Sequence, residues 1–265
     1  MTDRLLDDLI DCSRRAGAKA MEYFRSSGEI ENHNKLNDSD IVTVADKASE
    51  AVIKAFITEH YPTHSIVSEE SEATCGSEPW RWVIDPIDGT ANFFAGLPLW
   101  AISIGVQHEG VTVAGVVYMP ATGELFCAAR GRGAWMGDKP IRVGSETSLK
   151  RVLVSTGFPV DKDTNPDNNL DVTARVLPCV RDIRRLGAAS VDMCYVAAGY
   201  LGGYWEMNLH EWDICASTLI LEEAGGCCSS YRGDRGIAIV CGNRSIHDQL
   251  RRLIAEGDGK NTTEL

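Results

Sequence analysis

The chain has 265 residues, 44% hydrophobic and 24% charged, with 38 acidic against 26 basic side chains and a net charge of −12. That composition excludes a disordered tail, a collagen-like repeat and a disulfide miniprotein, and it suffices for one large or two ordinary globular domains. The carboxylate excess also argues against a nucleic-acid partner, because binders that neutralise phosphates carry the opposite sign.

The opening segment predicts a helix, with Leu5, Leu9, Ala16, Ala20 and Phe24 on one stripe and Gly28 as its stop. Residues Asn32 to Asp40 are polar and read as a loop. Thr43-x-x-Asp46 is a capping signal for a second helix with Val52, Phe56 and Ile57 on its apolar side. Two short strands follow, Ser65–Ser68 and Trp82–Ile84, and each ends in acid, at Glu69-Glu70 and at Asp85. Three β-rich runs, Ala101–Val106, Val111–Tyr118 and Glu124–Ala129, are separated by Glu109-Gly110 and Thr122-Gly123, which predicts an antiparallel meander.

The polar stretch from Gly144 to Lys150 is the expected boundary between a domain of residues 1–146 and one of residues 147–265. Beyond it, strands at Val152–Ser155, Gly203–Met207 and Ile237–Cys241 alternate with helices at Val191–Ala198, Trp212–Ala224 and Ile246–Ala255. That alternation is an α/β pattern, whereas the first half is α+β. The nine cysteines form no CxxC and the six histidines no HxH or HExxH, so the thiols read as reduced, mostly buried groups of a cytoplasmic protein. No apolar run approaches the ~18 residues of a membrane span, and the acidic, amphipathic N-terminus is not a signal peptide, so no membrane partner is expected.

The chemistry concentrates in Asp85-Pro-Ile-Asp-Gly-Thr90. Pro86 forces a turn that can return Asp88 to the side of Asp85, Gly89 allows a close ligand approach, and Thr90 opens a helical stretch where an anion is favoured. Carboxylates repel phosphate, so the two belong together only with a hard cation between them, and Mg²⁺ suits oxygen ligands of this kind. By itself an Asp-Pro turn can equally be an acidic strand end. Asp213 falls in the first turn of an amphipathic helix that closes with Glu222-Glu-Ala-Gly-Gly226, and by itself can equally be a cap.

Taken together, Glu69-Glu70-Ser71, Trp82-Val-Ile-Asp-Pro-Ile-Asp-Gly-Thr-Ala-Asn-Phe93 and Trp212-Asp213-Ile-Cys-Ala with Glu223-Ala-Gly-Gly226 resemble the inositol monophosphatase family of lithium-sensitive, magnesium-dependent phosphatases. The resemblance spans nearly the whole chain. It implies a layered α-β-α-β-α sandwich, a homodimer, and hydrolysis of a small phosphomonoester by activated water with two or three Mg²⁺ ions. Residue by residue, it makes Glu69, Asp85, Asp88, Asp213 and the Ile87 carbonyl metal ligands, and Glu69, Thr90 and Asp46 the groups that manage the water's proton. Asp88, Gly89, Thr90 and Asp213 would meet the substrate near its phosphate. Gly187, Ala188 and Ala189 would line the alcohol pocket, Glu206 would read hydroxyls, and Lys35 would be a loop contact.

Three positions depart from the pattern: Ala188 where Ser or Thr is frequent, Gly202 where Asp is frequent, and Ser217 where Gly is frequent. Ala91-Asn92 stands where relatives acting on 3′-phosphoadenosine carry Lys-Glu, which points to the inositol-phosphate side. Fructose-1,6-bisphosphatase and histidinol-phosphate phosphatase are the enzyme alternatives, and a regulatory binding protein on a phosphatase fold is the non-enzyme one. Two carboxylates about 5 Å apart repel by roughly 3 kcal/mol at an effective dielectric of 20, so the acidic set asks for cations. Cys-x5-Arg occurs at Cys75–Arg81 and Cys179–Arg185, but neither loop is the Gly-rich cradle a cysteine phosphatase needs, and Arg184-Arg185 reads as a solvated pair, with contact to an anionic substrate or a partner as the alternative.

Overall fold

The computed structural model describes residues 2–25, 32–34 and 41–258. In chain order it contains α1 (Thr2–Met21), β1 (Asn32–Asn34), β2 (Ile41–Thr43), α2 (Val44–His60), β3 (Ser65–Ser68), β4 (Trp80–Asp88), α3 (Thr90–Phe94), β5 (Ala101–His108), β6 (Val111–Met119), β7 (Glu124–Ala129), β8 (Ala134–Met136) and β9 (Lys139–Ile141). There follow β10 (Leu153–Thr156), α4 (Leu170–Val176), β11 (Asp182–Arg184), α5 (Ala189–Ala197), β12 (Gly203–Leu209), α6 (Glu211–Glu223), β13 (Cys227–Arg232), β14 (Ile237–Gly242) and α7 (Arg244–Asp258). No helix among the described residues is long and apolar enough to cross a membrane.

Strands β3 to β9 form a seven-stranded sheet in sequence order, and β11-β10-β12-β14-β13 form a five-stranded one. Only β3 and β4 run parallel in the first sheet, so the expected meander is present and extends through β9. Three apolar clusters give the layering. Leu5, Leu9, Ala16 and Ala20 of α1 and Ile53, Phe56 and Ile57 of α2 pack on one face of the seven-stranded sheet. Helices α5 and α6 fill the space between the two sheets. Val172 and Val176 of α4 and Ile246, Leu250 and Ile254 of α7 cover the outer face of the five-stranded sheet. This is the α-β-α-β-α sandwich.

Several expectations need correction. Asn32–Asn34 is a strand paired antiparallel with Ile41–Thr43, not loop; positions 35–40, including Lys35, and Gly28 lie outside the described residues. Helix α6 is not amphipathic: Cys215, Ala216, Leu219, Ile220 and Leu221 are all buried because sheets flank it on both sides. Its close seat on the large sheet rests on Gly105 and Gly115, which pair with each other; a Cβ on either would fall within 3 Å of Cys215 or Ala216.

The strand read as ending at Asp85 continues to Asp88. Asp85 pairs with Ser103 and Asp88 with Ala101, so three steps along β4 match two along β5. One extra residue is a β-bulge, the context that admits Pro86 inside a sheet. Alternation alone would put residues three apart on opposite faces. The bulge puts Asp85 and Asp88 on one face, with Ala101 toward the middle layer, while Ile84 and Ile87 face α1 and α2.

Candidate active site

The C-terminal end of β4, the residue after β3, the first turn of α5, the strand β12 and the first turn of α6 meet at a cavity of about 400 Å³. Seven of the expected residues line it: Glu69, Asp88, Gly187, Ala188, Ala189, Glu206 and Asp213. Asp85 does not line it but lies within electrostatic reach of Glu69, Asp88, Asp213 and Asp46. Of the three departures from the family pattern, only Ala188 faces the cavity; Ser217 is buried on α6 with its hydroxyl donating to the Ile214 carbonyl at 3.3 Å.

Asp85, Asp88, Asp213 and Glu206 are each held by protein donors. The Ile87 N–H donates to Asp85 Oδ1 at 3.0 Å, closing an Asx-type turn across Pro86. Asp88 accepts the Ala189 N–H at 3.2 Å, the Ser190 N–H at 2.7 Å and the Ser190 hydroxyl at 2.5 Å. Asp213, third residue of α6, accepts the His210 N–H at 2.7 Å, as an N-terminal acid does. Glu206 accepts the Tyr204 hydroxyl at 2.5 Å.

Gly89 has φ 88, and a Cβ there would come within 3.0 Å of the Ala188 Cβ and the Leu99 carbonyl oxygen. The bare α-carbon therefore lets the turn after Asp88 touch the pocket wall. The Thr90 hydroxyl lies 3.1 Å from the Ile87 carbonyl oxygen and 3.5 Å from Asp46 Oδ1, so its one proton is better placed on the carbonyl. Asp46 is fully buried on α2 beside Ser49, whose hydroxyl donates to the Pro86 carbonyl at 2.9 Å.

Burial raises Asp85 well above the usual carboxylate range, and Glu69, Asp88, Asp213 and Asp46 push it further. Burial lifts Asp88 to about 6, with the Ser190 and Ala189 donors holding it down and Glu69 pushing it up. Asp213 is raised well above its ordinary value by burial, opposed by the His210 N–H. Glu206 rises to about 7, again by desolvation, with Tyr204 and Arg185 opposing.

Among the described residues, no three of His, Cys, Asp and Glu stand close enough together to enclose a metal ion as placed. The donor chemistry nonetheless fits a hard divalent cation: the groups are oxygen ligands, desolvated and mutually repelling, and a bound cation relieves both effects.

Several contributors were not anticipated. Ser190 sits 102 positions from the acid it holds. Tyr204 orients Glu206 from within β12. Of the exposed pair Arg184-Arg185, Arg185 lines the cavity, as the alternative of an anion contact has it, while Arg184 pairs with Asp182 at 2.6 Å. Residues 158–160 complete the wall. Cys75 is exposed and Cys179 half-buried, and neither borders the cavity.

The sequence profile of the inositol monophosphatase family matches residues 2–262. The chain belongs to the inositol monophosphatase family. It is 37% identical to the inositol-1-monophosphatase of Rhizobium meliloti, covering 94% of this chain and 96% of that one. It is 39% identical to the Nus factor SuhB of Pasteurella multocida, covering 94% and 95%. Among solved structures, the inositol monophosphatase from Anabaena superposes with a TM-score of 0.85 at 36% identity, over 96% of both chains. The extragenic suppressor protein suhB from Bartonella henselae superposes with a TM-score of 0.90 at 33% identity, over 96% of this chain and 99% of that one.

Proposed function

We propose that this member of the family hydrolyses a small phosphomonoester, myo-inositol monophosphate before others, in a Mg²⁺-dependent reaction. The observation that carries the reading is the meeting of Glu69, Asp88, Asp213 and Glu206, drawn from both halves of the chain, around one cavity. Glu69, Asp85, Asp88, Asp213 and the Ile87 carbonyl would hold the cations. Two or three Mg²⁺ ions, when bound, would supply Lewis acidity toward water and phosphate oxygens.

The remaining work falls to the chain's own groups. Gly89 and Thr90 would present main-chain N–H groups to the phosphate. The Thr90 hydroxyl and Asp46, 3.5 Å apart, and the Glu69 carboxylate would take the proton of the attacking water. Asp88, pinned by Ser190 and Ala189, would keep its position as charge builds on the phosphate. Glu206, fixed by Tyr204, would accept a hydrogen bond from a hydroxyl of the leaving alcohol. A division at 146/147, a cytoplasmic setting and a homodimer belong to the same reading.

The test is phosphate release from myo-inositol 1-phosphate with Mg²⁺ and with chelator, using wild type and Asp213→Asn. Chelator should abolish activity, and the variant should lose at least about 10²-fold in kcat/KM, roughly 3 kcal/mol. Full activity in chelator would falsify the metal-dependent reading. A preference for fructose 1,6-bisphosphate or histidinol phosphate would change the substrate and leave the phosphatase. A second reading, a regulatory partner-binding role, is favoured by the relatives named Nus factor SuhB; it predicts binding that survives Asp213→Asn.

A further inference from the structure

Asn92 has no part in the roles assigned so far. It lies on α3, two residues after Thr90, and its Nδ2 donates to two carbonyl oxygens at once, Leu99 at 2.6 Å and Leu186 at 2.8 Å. Leu99 belongs to the approach to β5. Leu186 opens the 186–189 segment, whose Gly187, Ala188 and Ala189 wall the cavity. The same side chain presses on Gly187: a Cβ there would fall 2.9 Å from Asn92 Nδ2 and 3.2 Å from Oδ1, and 2.2 Å from Arg185 Nη1. At φ 93 and with no room for a side chain, Gly187 is fixed by its neighbours from outside its own backbone.

We propose that Asn92 is a positioning residue that determines specificity: it seats the Gly187–Ala189 wall and so sets the shape of the alcohol side of the cavity. The proposal rests on the phosphatase reading. Two carbonyl acceptors facing one short side chain demand an NH₂ group, which an amide has and a carboxylate lacks. Asn92 touches the wall and not the reacting atoms, so its loss should appear first in recognition of the leaving group.

The experiment measures kcat/KM for myo-inositol 1-phosphate and for p-nitrophenyl phosphate on one preparation each of wild type, Asn92→Ala and Asn92→Asp, with saturating Mg²⁺. The ratio of the two values cancels the fraction of folded enzyme, so a partly destabilised variant still reports. Both variants should lower the inositol-to-nitrophenyl ratio by about tenfold, mainly through a higher KM for inositol phosphate. A ratio within about twofold of wild type in both variants would make Asn92 merely structural and overturn the proposal. A wild type that hydrolyses both esters without discrimination would overturn it too. A wild type with no Mg²⁺-dependent hydrolysis would instead sink the phosphatase reading.

Discussion

Stripped of divalent metal, the protein should be more stable at about pH 5 than at about pH 7.5. Asp88 is 7% exposed, and its folded-state value is about 6 against an ordinary 3.8. Between those values the native state binds more protons than the unfolded chain, so stability falls as pH rises. The full shift corresponds to about 3 kcal/mol, of which roughly half is lost between pH 5 and pH 7.5. Asp85 and Asp213, also raised by burial, act in the same direction. His64, lowered by burial, opposes weakly. A loss of that order moves Tm by a few °C in a chain of this size. Thermal melts in chelator at the two pH values read this directly. Adding Mg²⁺ to about 100 times its Kd at pH 7.5 should return about 2.7 kcal/mol, with a smaller gain at pH 5, where the carboxylates hold protons. Asp88→Asn should narrow the chelated pH gap by its own share while leaving the His64 contribution in place. A chelated protein no less stable at pH 7.5 than at pH 5, or a Mg²⁺ gain equal at both, would refute the reasoning.

Glu206→Ala should reduce kcat/KM for myo-inositol 1-phosphate at least about tenfold more than for p-nitrophenyl phosphate, because only the first offers hydroxyls to the carboxylate; parallel rates on the two esters check it. Cys75→Ser and Cys179→Ser should leave steady-state rates within about twofold, since neither thiol borders the cavity and a cysteine nucleophile would be abolished by the change. Trp205→Phe should cost about 2–4 kcal/mol by urea unfolding, since it leaves a void under β12 and strips Asn169 Oδ1 of the indole N–H it accepts at 2.9 Å.

Glu69 and Asp85 were readable because local patterning marks the apolar strand before each, Ser65–Ser68 before Glu69 and the run before Asp85, although the second strand runs on to Asp88. Asp213 was readable from the start of a helix. What sequence could not reveal is pairing across distance. The Ser190 hydrogen bond to Asp88 joins residues 102 apart, and Asn92 reaches Leu186 across 94. Arg184 and Arg185 are identical in type and adjacent, and only the third dimension sends one to Asp182 and the other to the cavity. The burial of α6 on every side also escaped the pattern, because its partners are two sheets from opposite halves of the chain.

The bulge in β4 has a consequence for how this segment can change over time. Replacing Ile87 by another apolar residue keeps the count of three steps against two and leaves both acids facing inward. Deleting Ile87 would let the ladder pair two against two: Asp88 would keep its place opposite Ala101, but Pro86, which has no N–H to give, would enter the regular ladder opposite Ile102. The buried Ile87 side chain against α1 and α2, the Ile87 N–H that Asp85 accepts and the Ile87 carbonyl that the Thr90 hydroxyl meets would all be lost with it. At this stretch, spelling can drift while length cannot, so insertions and deletions should be purged from its lineage far more stringently than substitutions at the apolar position between the acids.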